Sequence, residues 1–281
     1  MPEFECTGPV TATVRIGGGS LDVVAEERRT ASVDVTPYDD TDASRFAAEH
    51  TVVELHGSDL TIAAPDTPAA WLWRPPARLR VTARIPIDSR IVLRLASARA
   101  VCQGRYAAGE ISSASGDVAI DHVTGDLHAR TASGEVTADR VDGDAQVRSA
   151  SGQLRLGTVG RNAGTHTASG DVAIESVGGS LRAVSASGNV HVGGLRRGAA
   201  RVKTASGDVH LGVVAGTALW LDLSSGSGVV HSDLATTATP TRPTGADLHV
   251  EVRTASGDIE VRRVADVGAV AAGAVATRRT R

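Results

Sequence analysis

Repeated carboxylates are the residues of this chain best placed to do chemistry. Asp117 and Glu135 each follow an Ala-Ser-Gly phrase, and Asp121 and Asp139 stand at matching positions further along. If the phrases stack, the four acids occupy two neighbouring layers, and carboxyls about one layer apart approach the roughly 5 to 5.5 Å of a retaining glycosidase pair. Such a face would bind or cleave polysaccharide. Gln153 and Gly157 interrupt both columns at the next phrase, and no aromatic platform, Arg or Lys flanks the acids in the pattern. The competing reading is a solvated acidic ladder partly neutralised by Arg130 and Arg148.

Two metal readings draw on the same regularity. The column Asp117, Glu135, Gln153, Asp171, Asn189, Asp208 resembles the ligand column of calcium-binding β-rolls, which also use 18 residues per turn. The glycine pair that precedes the acid in those rolls is missing, and Gln153 and Asn189 weaken an oxygen cage. His191 and His210 occupy equivalent positions in adjacent phrases, without a recurring third ligand. No nucleophile elbow, P-loop or dinucleotide fingerprint stands in a strand-turn-helix context, and Gly17-Gly18-Gly19 reads as a turn. The expectation is therefore no cofactor, no metal and no catalytic residue.

The elements that would position these side chains follow from the repeat. The Ala-Ser-Gly phrase begins at Ala114, Ala132, Ala150, Ala168 and Ala186, at Ala205 one residue late, and at Ala255 after a long interruption. Positions two and four after the glycine are aliphatic in every copy, as in Val118 and Ile120 or Val172 and Ile174, while the residue between them tolerates water. A period of two with one apolar face is a half-buried strand. A second apolar column (Val123, Val141, Val159, Val177) lies past a bend, and a Gly-led strand follows at Gly125-Asp126-Leu127 and its equivalents. Each unit thus holds two or three short strands separated by glycine corners. Identical residues at a fixed interval stack if each unit is one coil of a parallel β-solenoid, with coils about 4.8 Å apart.

Residues 1–95 carry a looser form of the pattern and read as irregular N-terminal coils, with a separate small β-sandwich as the alternative. Strands are expected around 19–24, 31–36, 51–55, 57–62, 79–85 and 90–95, with a short helix or loop at 41–49. Residues 96–264 form the regular repeat and 265–281 a disordered tail. A Pro-rich segment at 65–76 reads as a loop whose Trp71, Trp73 and Arg74 either contact a partner or fold back as a plug. The last phrase, Asp258 to Arg262, is expected at an open edge.

Whole-chain properties narrow the function classes. With 29 basic and 32 acidic residues the formal net charge is −3, which gives no electrostatic case for nucleic acid. Cys6 and Cys102 match no metal spacing and read as unpaired, buried thiols. The first residues hold neither a basic segment nor an apolar stretch, so no secretory signal or transmembrane segment is read, and a cytoplasmic location is expected with cell-surface association left open.

The phrases Thr-Ala-Ser-Gly-Asp-Val and Val-Thr-Gly-Asp-Leu, together with Ala218-Leu219-Trp220-Leu221-Asp222-Leu223, resemble a bacterial β-strand-repeat family of unknown function, the toastrack domain, whose members carry an adhesin label. The likeness spans most of the chain and is strongest from about Ile111 to Val264, and soluble actinobacterial members look most similar. The resemblance implies an all-β, single-stranded parallel β-solenoid with an interaction role and brings no catalytic residues. Its partner would be an unidentified protein or cell-envelope component, with the polysaccharide-directed acidic face as the alternative.

Overall fold

The computed structural model describes residues 2–65, 77–234 and 247–265. All of the strands join one sheet network, and from residue 99 onward every strand pairing is parallel. Two strands come from each repeat. One wall stacks Val118–Val123, Val136–Val141, Leu154–Val159, Val172–Val177, Val190–Leu195 and Val209–Val214. The other stacks Leu127–Thr131, Ala145–Ser149, Ala163–His166, Leu181–Val184 and Gly198–Lys203. The long strand Arg99–Ser113 bends through both, pairing with Val118–Val123 by its first half and Leu127–Thr131 by its second. The result is a solenoid-like body around one aliphatic core.

Alternation decides which side of each wall faces that core. Val118, Ile120, Val123, Leu127 and Ala129 are buried, while Asp121, His128 and Arg130 face water. Each buried Val, Leu or Ile contributes about 1.5 to 3 kcal/mol before ordering entropy is subtracted. In-register pairing puts like residues in contact: Val118 lies beside Val136, Leu154 beside Val172 and Val190 beside Val209.

The corner explains the Ala-Ser-Gly phrase, and the residue in front of it matters most. The buried hydroxyl of Thr131 accepts the Gly134 N–H at 2.9 Å, and Ser149, Thr167, Ser185, Thr204 and Thr254 do the same for the glycine three residues on. This satisfies a backbone donor that the sharp bend removes from the ladder. The glycine is required by close approach: a Cβ on Gly170 would lie 2.0 Å from the Gly152 carbonyl oxygen of the layer below. Ala and Ser of the phrase are exposed at the outer rim.

Chain order and spatial order differ at both ends. The strand Leu248–Thr254 lies between Gly198–Lys203 and Leu219–Ser225, and Ile259–Val264 lies between Val209–Val214 and Val230–Ser232. The last described segment therefore slots into a gap that the preceding segment spans, through a turn at Gly216 with φ +85°. This corrects the expectation that residues 258–262 form an open edge. Among the described residues the edge is made by Leu219–Ser225 and Val230–Ser232, where Leu219, Leu221 and Leu223 are only partly buried.

The other end repeats the device. Thr11–Ile16 sits between Asp59–Ala63 and Ser89–Leu95, and Gly18–Glu26 between Arg78–Pro86 and Arg99–Ser113. Three antiparallel strands, Glu3–Glu5, Thr30–Pro37 and Val52–His56, finish this end. Between the last two lies the helix Asp42–Glu49, with the Thr41 hydroxyl accepting the Ser44 N–H at 3.2 Å as its N-cap. The expected strands of the first 95 residues are all present; Thr11–Ile16 and Glu3–Glu5 are additional, and residues 41–49 resolve into this helix.

Candidate functional site

Asp117, Asp171, Asn189 and Asp208 make most of the acidic column a hydrogen-bonding ladder, while Glu135 and Gln153 hold Arg155. Asp117 accepts the backbone N–H of Glu135, its counterpart one layer on, at 2.9 Å. Asp171 accepts that of Asn189, Asn189 that of Asp208, and Asp208 that of Asp258, at 2.8 to 2.9 Å. A second ladder runs along the other corner, where Asp126 accepts from Asp144, Asp144 from Asn162 and Asn162 from Ser180. Asp and Asn interchange because the ladder needs only an acceptor oxygen.

Of the four acids expected to form a paired face, Asp117, Asp121 and Glu135 each hold a separate partner. Asp121 accepts the Gly104 N–H at 2.9 Å, Glu135 pairs with the Arg155 guanidinium and the Thr137 hydroxyl, and Asp139 is exposed on the strand Val136–Val141. Arg130 and Arg148 do not neutralise this column, because they project from the opposite wall. Arg155, one strand further along, takes that place for Glu135.

Other charged groups work in local pairs. The Arg105 guanidinium grips Asp88 with two hydrogen bonds of 2.7 Å and holds its carboxyl below the usual range. Asp144 is lowered first by the Asn162 N–H and then by Arg161. Burial pushes Asp142 upward, but hydrogen bonds from His122 at 2.8 Å and Arg140 at 2.7 Å outweigh it and leave the group lowered. His191 and His210 face each other at 6.2 Å between ring centroids, with His210 Nδ1 3.0 Å from Glu260. Among the described residues no three His, Cys, Asp or Glu side chains are grouped to hold a metal.

Cys6 and Cys102 are free and buried, as expected. Trp71, Trp73 and Arg74 lie outside the described residues, as does the expected tail beyond residue 265. Among the described residues no helix is long and apolar enough to cross a membrane.

The capping hydroxyls were missed in the sequence, although their column (Ser113, Thr131, Ser149, Thr167, Ser185, Thr204, Thr254) is hydroxylated throughout. That uniformity at a buried position was the available signal.

The family model of Toastrack DUF4097 matches residues 20–262. Among solved structures, a candidate adhesin from Bacteroides fragilis is 12% identical, with 94% of this chain and 95% of that one covered, at a TM-score of 0.41. A candidate lipid-binding protein from Parabacteroides distasonis is 14% identical, with 94% and 95% covered, at 0.44. A candidate cell adhesion protein from Clostridium sporogenes is 10% identical, with 94% and 99% covered, at 0.22. No curated protein matches the sequence.

Proposed function

The chain belongs to the Toastrack DUF4097 family, and from that premise we propose that it is a non-enzymatic interaction or scaffold protein, adhesin-like in build, whose 18-residue β-solenoid coils present long flat walls to a macromolecular partner. One observation carries this reading: Asp117, Asp171, Asn189 and Asp208 of the repeated polar column are committed to backbone N–H groups of the next layer. An acceptor already holding a 2.8 to 2.9 Å hydrogen bond inside the fold's own ladder is a structural part. The walls left over are rigid, because every strand in them is paired on both sides except at the ends.

The test is saturable capture by the immobilised, folded protein from fractionated cell extract, with heat-unfolded protein as the comparison. Capture specific to the folded form supports the reading. Turnover of a polysaccharide panel that is lost in Asp117→Asn with Glu135→Gln would replace it with the acidic-face alternative.

A further inference from the structure

The wall opposite the acidic column carries an unbalanced charge that the net charge of −3 hides. Along it the pairing register aligns Arg15 with Arg94, then Ser112, Arg130, Arg148, His166, Val184 and Lys203. All six of the basic residues in that row are exposed. None has a carboxylate within salt-bridge distance among the described residues, in contrast to Arg105, Arg155 and Arg161 elsewhere. From Thr11–Ile16 to Gly198–Lys203 the strands of this wall contribute one acid, Glu110, and Arg90 pairs with it at 3.4 Å.

Shape reinforces charge. Arg15, Arg94, Arg130 and Arg148 line one open groove of about 840 Å³ with Ser112, His128, Gln146 and one acid, Glu110, so guanidinium forks outnumber the single carboxylate in the same space. With strands about 4.8 Å apart, the row from Arg15 to Lys203 spans about 34 Å in a straight line.

We propose that this row binds a linear acidic polysaccharide, a chain of uronic-acid sugars lying along the solenoid axis. The proposal rests on the interaction reading above and names the chemistry of the partner. An extended 1,4-linked uronic-acid chain advances by roughly one strand spacing per sugar, so its carboxylates recur on the length scale of the rungs. Arg15, Arg94, Arg130 and Arg148 each offer a carboxylate a bidentate pair, while the Ser112 and Val184 rungs carry no charge. A single straight row suits a single linear polyanion. Single-stranded nucleic acid binds through aromatic stacking platforms beside its cations, and this row has none. A duplex carries its phosphates on a helical track rather than a line. An anionic bilayer is a plane, and the adjoining row is mixed, running Glu110, His128, Gln146, Gly164, Arg182 and Arg201, with Arg201 held by Glu251.

The experiment is calorimetric titration of the full chain with polygalacturonate and with oligogalacturonates of increasing length, at two salt concentrations. Saturable binding is expected, weakening with salt and tightening with oligomer length up to the span of the row. Arg130→Ser with Arg148→Ser should weaken it at least tenfold at unchanged Tm, and Lys203→Ser should matter only for the long oligomers. Arg155→Ser, on the other wall, should change nothing. An unchanged affinity in the double variant overturns the assignment of the row. Equal or tighter binding of an oligo-dT strand or of phosphatidylglycerol vesicles overturns the assignment of the ligand. If polygalacturonate does not bind while capture from extract persists, this inference falls and the interaction reading stands; if both fail, both fall.

Discussion

The Asp208 carboxylate accepts the backbone N–H of Asp258 at 2.9 Å, although the two residues are 50 apart in sequence. Asp258 in turn accepts the N–H of Val229 at 2.8 Å, so the ladder runs forward to residue 258 and then back. The segment 248–264 is thereby held between neighbours instead of lying at an edge. Asp258→Ala should cost about 1 kcal/mol, the net worth of one hydrogen bond, and Asp258→Asn should cost less because the amide oxygen still accepts. Urea unfolding of the two variants checks the order; equal losses would mean the ladder acceptor at 258 does not matter.

Glycine in the corner phrase separates close approach from mere flexibility. Gly170→Ala places a methyl 2.0 Å from the Gly152 carbonyl oxygen, and should lower stability by about 3 kcal/mol or more. At Gly194 the nearest atom to a new methyl is 3.7 Å away on the Val214 side chain, so Gly194→Ala should be nearly neutral. Thermal melts of the pair give the comparison, and similar Tm values for both would contradict the stacked-corner geometry.

The capping hydroxyls make a prediction that isosteric replacement can isolate. Thr204→Val keeps the volume but leaves the buried Gly207 N–H, now bonded at 3.0 Å, without an acceptor. The expected loss is about 1 to 3 kcal/mol, with Thr204→Ser close to wild type because Ser185 serves one layer away. Denaturant midpoints for the two variants decide it: Ser as costly as Val would show that the methyl, and not the oxygen, is what counts.

Acid should weaken the fold through carboxylates whose folded values are depressed. Asp88 and Asp144 both lie below the ordinary 3.8, through Arg105 in one case and the Asn162 N–H in the other. A depressed folded value means the contribution is complete above the unfolded value and disappears as pH falls through the folded one. Tm should therefore hold steady from pH 7 to about 5 and fall below about 4. Asp144→Asn keeps an acceptor without a titrating proton, so it should flatten part of that fall; a steeper fall in the variant would reverse the argument.

Cys102 is fully buried, and burial, helped by the charges of Asp121 and Asp22, pushes its thiol up to about 12. The thiolate is the reactive form. In a Cys6→Ser background, native protein at pH 8 should take up no thiol reagent until denaturant is added. Labelling of the native state within minutes would show that the core opens at this layer.

Much of the wall architecture could be read from the chain because in-register stacking makes sequence period and spatial contact the same thing. The Val118, Val136 and Leu154 column is adjacent in the fold for the reason it is aligned in sequence. Chain order at the ends could not be read this way, since residues 219–232 and 248–264 carry compatible strand patterns and either would fit against Val209–Val214. The antiparallel strands Thr30–Pro37 and Val52–His56 alternate like their parallel neighbours, and alternation does not report direction. At the candidate site, the acids were visible but their bonds were not, because a ladder acceptor and a catalytic carboxylate are the same residue type at the same spacing. The basic row escaped notice for a different reason: its members are spread from Arg15 to Lys203 and only the register collects them.

Register and order at the inserted end carry the last rungs of the ladder and the solenoid-like stack, and site-directed disulfide formation tests them most directly. His210 pairs with Glu260, and Glu260 with His231, so His210 and His231 are separated by a strand. Neighbouring Cα atoms in register fall in the roughly 4.4 to 6.8 Å range that a disulfide spans, and atoms two strands apart do not. Oxidation of His210→Cys with Glu260→Cys should give a cross-linked monomer with a raised Tm, while His210→Cys with His231→Cys should stay reduced. Cross-linking of the second pair and not the first would place residues 219–232 next to Val209–Val214 and contradict the inserted, solenoid-like stack.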